Sequence, residues 1–129
     1  MDNSINPIDK LKIKLWLENY KCRNYIFNDN TGKVDINGNV NLSGKELSEI
    51  PFQFGHVSGD FECQNNKLTS LDFAPEFVGG CFNCSNNNIH DFDNIPIKHV
   101  EGNFYAYGAD PDKLSKLKNI VKGKIYPSH

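Results

Sequence analysis

Cys81 and Cys84 stand in a C-x-x-C spacing, which in other settings holds a metal or cycles a disulfide. Either chemistry needs both sulfurs on one side of the backbone. The flanking pattern, Phe61 with Cys63 and then Phe82 with Cys84, is that of strands whose side chains alternate between two faces. Cys81 precedes an inward Phe82 and faces out, whereas Cys84 faces in. The pair cannot share an ion, and a structural zinc normally takes four ligands. Cys63 and Cys84 are therefore expected as small apolar core groups, with no metal bound. Cys22 belongs to no motif. His56, His90, His99 and His129 share no spacing suited to ligation or proton transfer. There is no Ser-His-Asp grouping and no glycine-rich phosphate loop. No catalytic residue or cofactor is expected, and the chain does not read as an enzyme.

The element that positions these residues is a repeat. Gly59-Asp60-Phe61-Glu62-Cys63 is answered 21 positions on by Gly80-Cys81-Phe82-Asn83-Cys84, and the match continues through Asn66 to Asn87, Leu68 to Ile89 and Pro75 to Pro96. An earlier copy runs from Gly38, with Val40, Leu42, Leu47 and Ile50 in register. A later copy begins at Phe104, offset by 22 because one extra residue lies between Pro96 and Val100. A period in the twenties predicts a solenoid of stacked coils. Its inward columns are Val40-Phe61-Phe82-Phe104, Leu42-Cys63-Cys84-Ala106 and Leu47-Leu68-Ile89. Asn66 and Asn87 fall where the chain leaves the strand, and an amide there can both donate to and accept from backbone groups of a neighbouring coil. Lys45 holds that position in the first coil. On the opposite edge Phe52, Phe54, Phe73 and Phe77, near Pro75 and Pro96, read as the back wall of the core rather than as a second site.

The flanks read as caps over a single domain, 1–129. A helix is expected over 8–20, with Asn6 or Asp9 as cap and Pro7 in the first turn. Its stripe of Ile8, Leu11, Leu15 and Trp16 should lie on the first coil, although Lys10, Lys12 and Lys14 also suit a membrane-surface or partner-binding helix. Residues 25–42 read as a short antiparallel strand lead-in with turns at Asp29–Gly32 and Asn37-Gly38. The repeats occupy 38–108. A second cap helix is expected over 110–123, opened by Asp110 and Pro111 and closed by Gly123, and Lys124 to His129 reads as a short tail.

The chain has 129 residues and a net charge of −2, from 14 basic and 16 acidic side chains. No strong field draws it to nucleic acid or anionic lipid, and Asp60 and Glu62 on the outward face would repel phosphate. No apolar run reaches the roughly 20 residues of a membrane span, and the N-terminus lacks the pattern of a secretory signal. With its unpaired cysteines, the composition suits a cytoplasmic protein of a bacterium or a virus.

Phe-x-Cys-x-x-Asn-x-Leu matches the leucine-rich-repeat segment L-x-L-x-x-N-x-L. The units Gly80-Cys81-Phe82-Asn83-Cys84-Ser85-Asn86-Asn87 and Asn66-Lys67-Leu68-Thr69-Ser70-Leu71 resemble those of short leucine-rich-repeat proteins frequent in bacteriophage and some bacterial genomes. The resemblance spans about residues 34–108, with the Trp16–Lys21 segment ahead of it. It implies an α/β leucine-rich-repeat solenoid of about four coils with a parallel sheet and two cap helices. It also implies a non-enzymatic protein-interaction module, plausible in a phage as an inhibitor of a host defence factor acting in the host cytoplasm. Alternatives are a structural or self-assembling repeat protein, and a small-ligand or nucleic-acid sensor. The oligomeric state is open. The outward rows of the sheet supply the candidate partner-binding residues: Asn41, Asp60, Glu62, Gln64, Asn83, Ser85, Tyr105 and Tyr107. Tyrosine is enriched in interfaces because an apolar ring carries a polar tip.

Overall fold

A computed structural model describes residues 4–127. The chain winds into a β-solenoid of about four turns of roughly 21 residues. Helix α1 (Pro7–Asn19) precedes the coils, and a 3-10 helix (Pro111–Asn119) follows the fourth. Each coil crosses two sheets. Sheet A comprises β1 (Tyr25–Asn28), β2 (Lys33–Ile36), β4 (Phe54–Val57), β6 (Phe77–Val78) and β8 (His99–Val100), adjacent in that order. Sheet B comprises β3 (Val40–Asn41), β5 (Phe61–Glu62), β7 (Phe82–Asn83), β9 (Phe104–Tyr105) and β10 (Ile125–Tyr126). All pairings are parallel except β1 with β2, a hairpin turning at Asp29–Gly32.

The period of 21 sets the register. Val40, Phe61, Phe82, Phe104 and Ile125 stand opposite one another through sheet B. Phe61 stacks on Phe82 with ring centroids 5.4 Å apart, and Phe82 on Phe104 at 5.0 Å. Ile36, Val57, Val78 and Val100 form the matching column of sheet A, and Val121 bridges to Val100. All of these except Ile125 are buried, as are Leu68, Leu71, Ile89 and Phe92 in the arcs between sheets. Burying such a side chain contributes about 1.5–3 kcal/mol, so these columns supply most of the drive for stacking. The extra residue of the third coil is absorbed at Glu76, whose carbonyl accepts from both Lys98 N and His99 N (2.7 and 3.2 Å).

Two asparagine ladders fasten the corners. Asn66 Oδ1 accepts from Lys45 N and Leu47 N (3.0 and 2.9 Å), and its Nδ2 donates to Leu42 O and Cys63 O (2.8 and 3.0 Å). Asn87 repeats this one coil later, with Leu68 N, Cys63 O and Cys84 O. The residue preceding each, Asn65 or Asn86, has positive φ, as do Gly44 and Gly108 at equivalent corners. Glycine and asparagine tolerate that left-handed corner best. Asn86 Nδ2 also donates to Asn65 Oδ1 at 2.9 Å.

Five expectations change. Asn37-Gly38 is no hairpin turn but the corner that carries the chain from sheet A to sheet B, so β2 pairs in parallel with β4 rather than with β3. The second cap is a 3-10 helix ending at Asn119. Gly123 lies beyond it, its N–H donating to Gly102 O. Residues 124–127 of the tail form the start of another coil, with β10 on β9, and residues 128–129 lie outside the described residues. On α1 the packed side is Ile13, Trp16, Leu17 and Tyr20, while Ile8, Leu11 and Leu15 are exposed. The reason is local: Asn6 caps the helix through Ile8 N, Lys10 pairs with Asp29, and Trp16 meets Phe52 edge-on, which together set the helix rotation. Phe73 and Phe77, expected in the back wall of the core beside Phe52 and Phe54, are exposed instead. Phe77 pairs with His56 and His99 along sheet A and stacks on the His56 ring, which places it on the outer face.

Candidate interaction surface

The outward face of sheet B carries the sequence-predicted residues. Its central row, read from the strand register, is Asn41-Glu62-Asn83-Tyr105-Tyr126. Asn41 is exposed, and Glu62, Asn83 and Tyr105 are half-buried. The polar members are partly occupied within their own strands. Asn41 Oδ1 accepts from Ser43 N and Oγ, and Asn83 Oδ1 accepts from Ser85 N.

The row beside it serves the fold more than a partner. Asp60 N donates to Asn39 Oδ1 (2.8 Å), Cys81 N to Asp60 Oδ1 (2.8 Å), and Asn103 N to Cys81 Sγ (3.4 Å); Lys124 N then donates to Asn103 Oδ1 (2.9 Å). Each side chain thus holds a backbone N–H of the next coil. One carboxylate oxygen of Asp60, Oδ1, is so engaged. The third row is more closed than the sequence implies. Ser85 is buried, and its hydroxyl accepts from Tyr107 N at 3.0 Å, so it is not presented to a partner. Gln64 Oε1 is also buried, with no hydrogen-bond partner.

At the C-terminal end the face becomes aromatic. Tyr105 and Tyr126 stack with centroids 5.0 Å apart and planes 7° from parallel, and Tyr107 lies 6.1 and 6.3 Å from them. Asn103 Nδ2 donates to the Tyr105 hydroxyl at 3.2 Å. Tyr126 was missed by the sequence reading, although Phe104-Tyr105 and Ile125-Tyr126 are 21 apart and extending the period would have found it. Glu62 lies two rungs from Tyr105, roughly 10 Å at the strand spacing.

The cysteines divide as their faces dictate. Cys63 and Cys84 are buried, and burial pushes both thiols well above their ordinary value; for Cys84 the neighbouring Cys63 adds to the effect. Cys81 is half-buried on the outer face. Among the described residues no group of three or more His, Cys, Asp or Glu is placed to hold a metal ion. No helix among them is long and apolar enough to cross a membrane. No protein family, curated protein or solved structure matches this chain.

Proposed function

We propose that the protein is a non-enzymatic binding module that holds a protein partner on the outward face of sheet B. The observation that carries this reading is the cluster of Tyr105, Tyr107 and Tyr126. Three rings that order one another offer a large amphipathic surface with little rotamer entropy left to lose on binding. Binding energy is usually concentrated in a few such anchors. Asp60 and Glu62, further along the face, favour a partner with a basic patch and steer its approach. Asn41, Asn83 and Gln64 lie within the same surface. The resemblance to short phage repeat proteins makes a host defence factor in the bacterial cytoplasm the partner of choice, with this protein as its inhibitor.

Self-assembly by continued stacking of coils is the competing reading. It is disfavoured at the C-terminal end. Ala106 N donates to Tyr126 O, and the residue 21 later, which would extend that bond to another coil, is Pro127, with no N–H. The test is capture of partners from bacterial lysate with the wild type and with Tyr105→Ala/Tyr107→Ala, followed by titration of the captured protein. At least a tenfold loss of affinity with unchanged circular dichroism is expected. A complex that survives the double change overturns this face as the binding site, and concentration-dependent oligomers in light scattering would favour self-assembly.

A further inference from the structure

The exposed side of α1 is a second surface, separate from sheet B. Ile8, Leu11 and Leu15 are 66%, 58% and 59% exposed, three large aliphatic side chains on a helix otherwise packed through Leu17, Ile13 and Trp16. Their spacing of three and then four residues puts them in one stripe. With Ile8 at heptad position a, Leu11 falls at d and Leu15 at a. Lys12 and Lys14 then occupy e and g, one on each side of the seam. Lys10 is engaged with Asp29 and lies on the packed side, whereas Lys12 and Lys14 make no ion pair among the described residues.

Those two charges select the occupant. A second copy in antiparallel pairing would set Lys12 near Lys12 and Lys14 near Lys14, and in parallel pairing it would oppose Glu18 to Glu18 at the next seam position. A bilayer is also a poor fit. The stripe holds only three apolar residues, Trp16 is turned inward, and Asp9 and Glu18 share the helix. We infer that α1 docks an amphipathic helix of a partner protein that carries Asp or Glu on both sides of its apolar seam. The apolar stripes interlock, and the partner's carboxylates meet Lys12 and Lys14. This surface is independent of the tyrosine face, so one protein could hold two partners, or two parts of one.

The test uses two synthetic three-heptad peptides with leucine at a and d, one with glutamate and one with lysine at every e and g, followed by fluorescence anisotropy against the full chain. The glutamate peptide is expected to bind at least tenfold more tightly than the lysine peptide, and less so as salt is raised. Leu11→Gln should weaken it at least tenfold with circular dichroism unchanged, since Leu11 is outside the core. Lys12→Glu with Lys14→Glu should reverse the preference. Tyr105→Ala/Tyr107→Ala should leave it unchanged, which separates failure here from failure of the sheet-B reading. Equal affinity for the two peptides, no binding of the glutamate peptide, or indifference to Leu11→Gln overturns the proposal. So does a wild-type dimer, or sedimentation with phosphatidylserine vesicles, that Leu11→Gln abolishes while neither peptide binds.

Discussion

Tyr126 lies flat against Tyr105, with centroids 5.0 Å apart and planes 7° from parallel, in strands that pair one coil apart. The same ring therefore closes the solenoid and completes the tyrosine cluster. An aromatic pair contributes about 0.5–1.5 kcal/mol beyond its buried area. Tyr126→Ala should lower stability by about 1–2 kcal/mol in urea melts. It should also weaken partner binding by leaving Tyr105 free to move. Tyr126→Phe, which keeps the stacking, should restore both.

Asn66 and Asn87 each join two coils through both ends of the amide. Alanine at either site leaves buried backbone groups unpaired, at about 1–3 kcal/mol. Asn66→Ala should cost more, because Asn66 accepts from two N–H groups where Asn87 accepts from one. Glu62→Ala, on the outward face, should stay within about 0.5 kcal/mol. Urea melts that rank Glu62→Ala as the costliest would contradict the assigned facing.

Gly80 is one of the points where successive coils approach closely. A Cβ there would press on Asp60 Oδ1 and sit 3.0 Å from the carbonyl carbon of Gly59 and 3.1 Å from Asp60 N. The side chain of Asp60 is held in place by its bond to Cys81 N. Gly80→Ala should therefore spread two coils and lower stability by about 1–3 kcal/mol. By contrast, Gly44 has open space around it, and the cost of Gly44→Ala should come from its left-handed φ alone. Thermal melts of the two variants compare the effects.

The buried thiols make a pH signature. Cys63 and Cys84 hold their protons more tightly folded than unfolded, because burial penalises the thiolate. Their contribution to stability is complete below the unfolded thiol's value near 9. It is lost progressively as the pH climbs from there toward the higher folded values. Cys63→Ala with Cys84→Ala should flatten the fall in stability between about pH 8.5 and 10.5. In the native wild type at pH 8, a bulky thiol reagent should label Cys81 and leave Cys63 and Cys84 unmodified. Zinc co-purifying in stoichiometric amount would revive a metal site.

What the sequence determined by itself is whatever repeats along it. A 21-residue period forces like residues into columns, so the phenylalanine stack, the inward cysteines and the Asn66–Asn87 ladder were legible before any coordinates. The outward row of Asn41, Glu62, Asn83 and Tyr105 followed from strand alternation alone. Tertiary structure decided what has no period. Two strands of two to four residues per coil could not be told from loop by alternation, so sheet A emerged only from the pairing of β2, β4, β6 and β8. The side of α1 that packs depended on which partners it met. Helical spacing grouped Ile8, Leu11 and Leu15 correctly, but Trp16 against Phe52 and Lys10 against Asp29 turned that stripe to the outside. Ser85 shows the same limit on a smaller scale. Alternation put it in an outward row, and only the approach of Tyr107 N from the next strand closed it over.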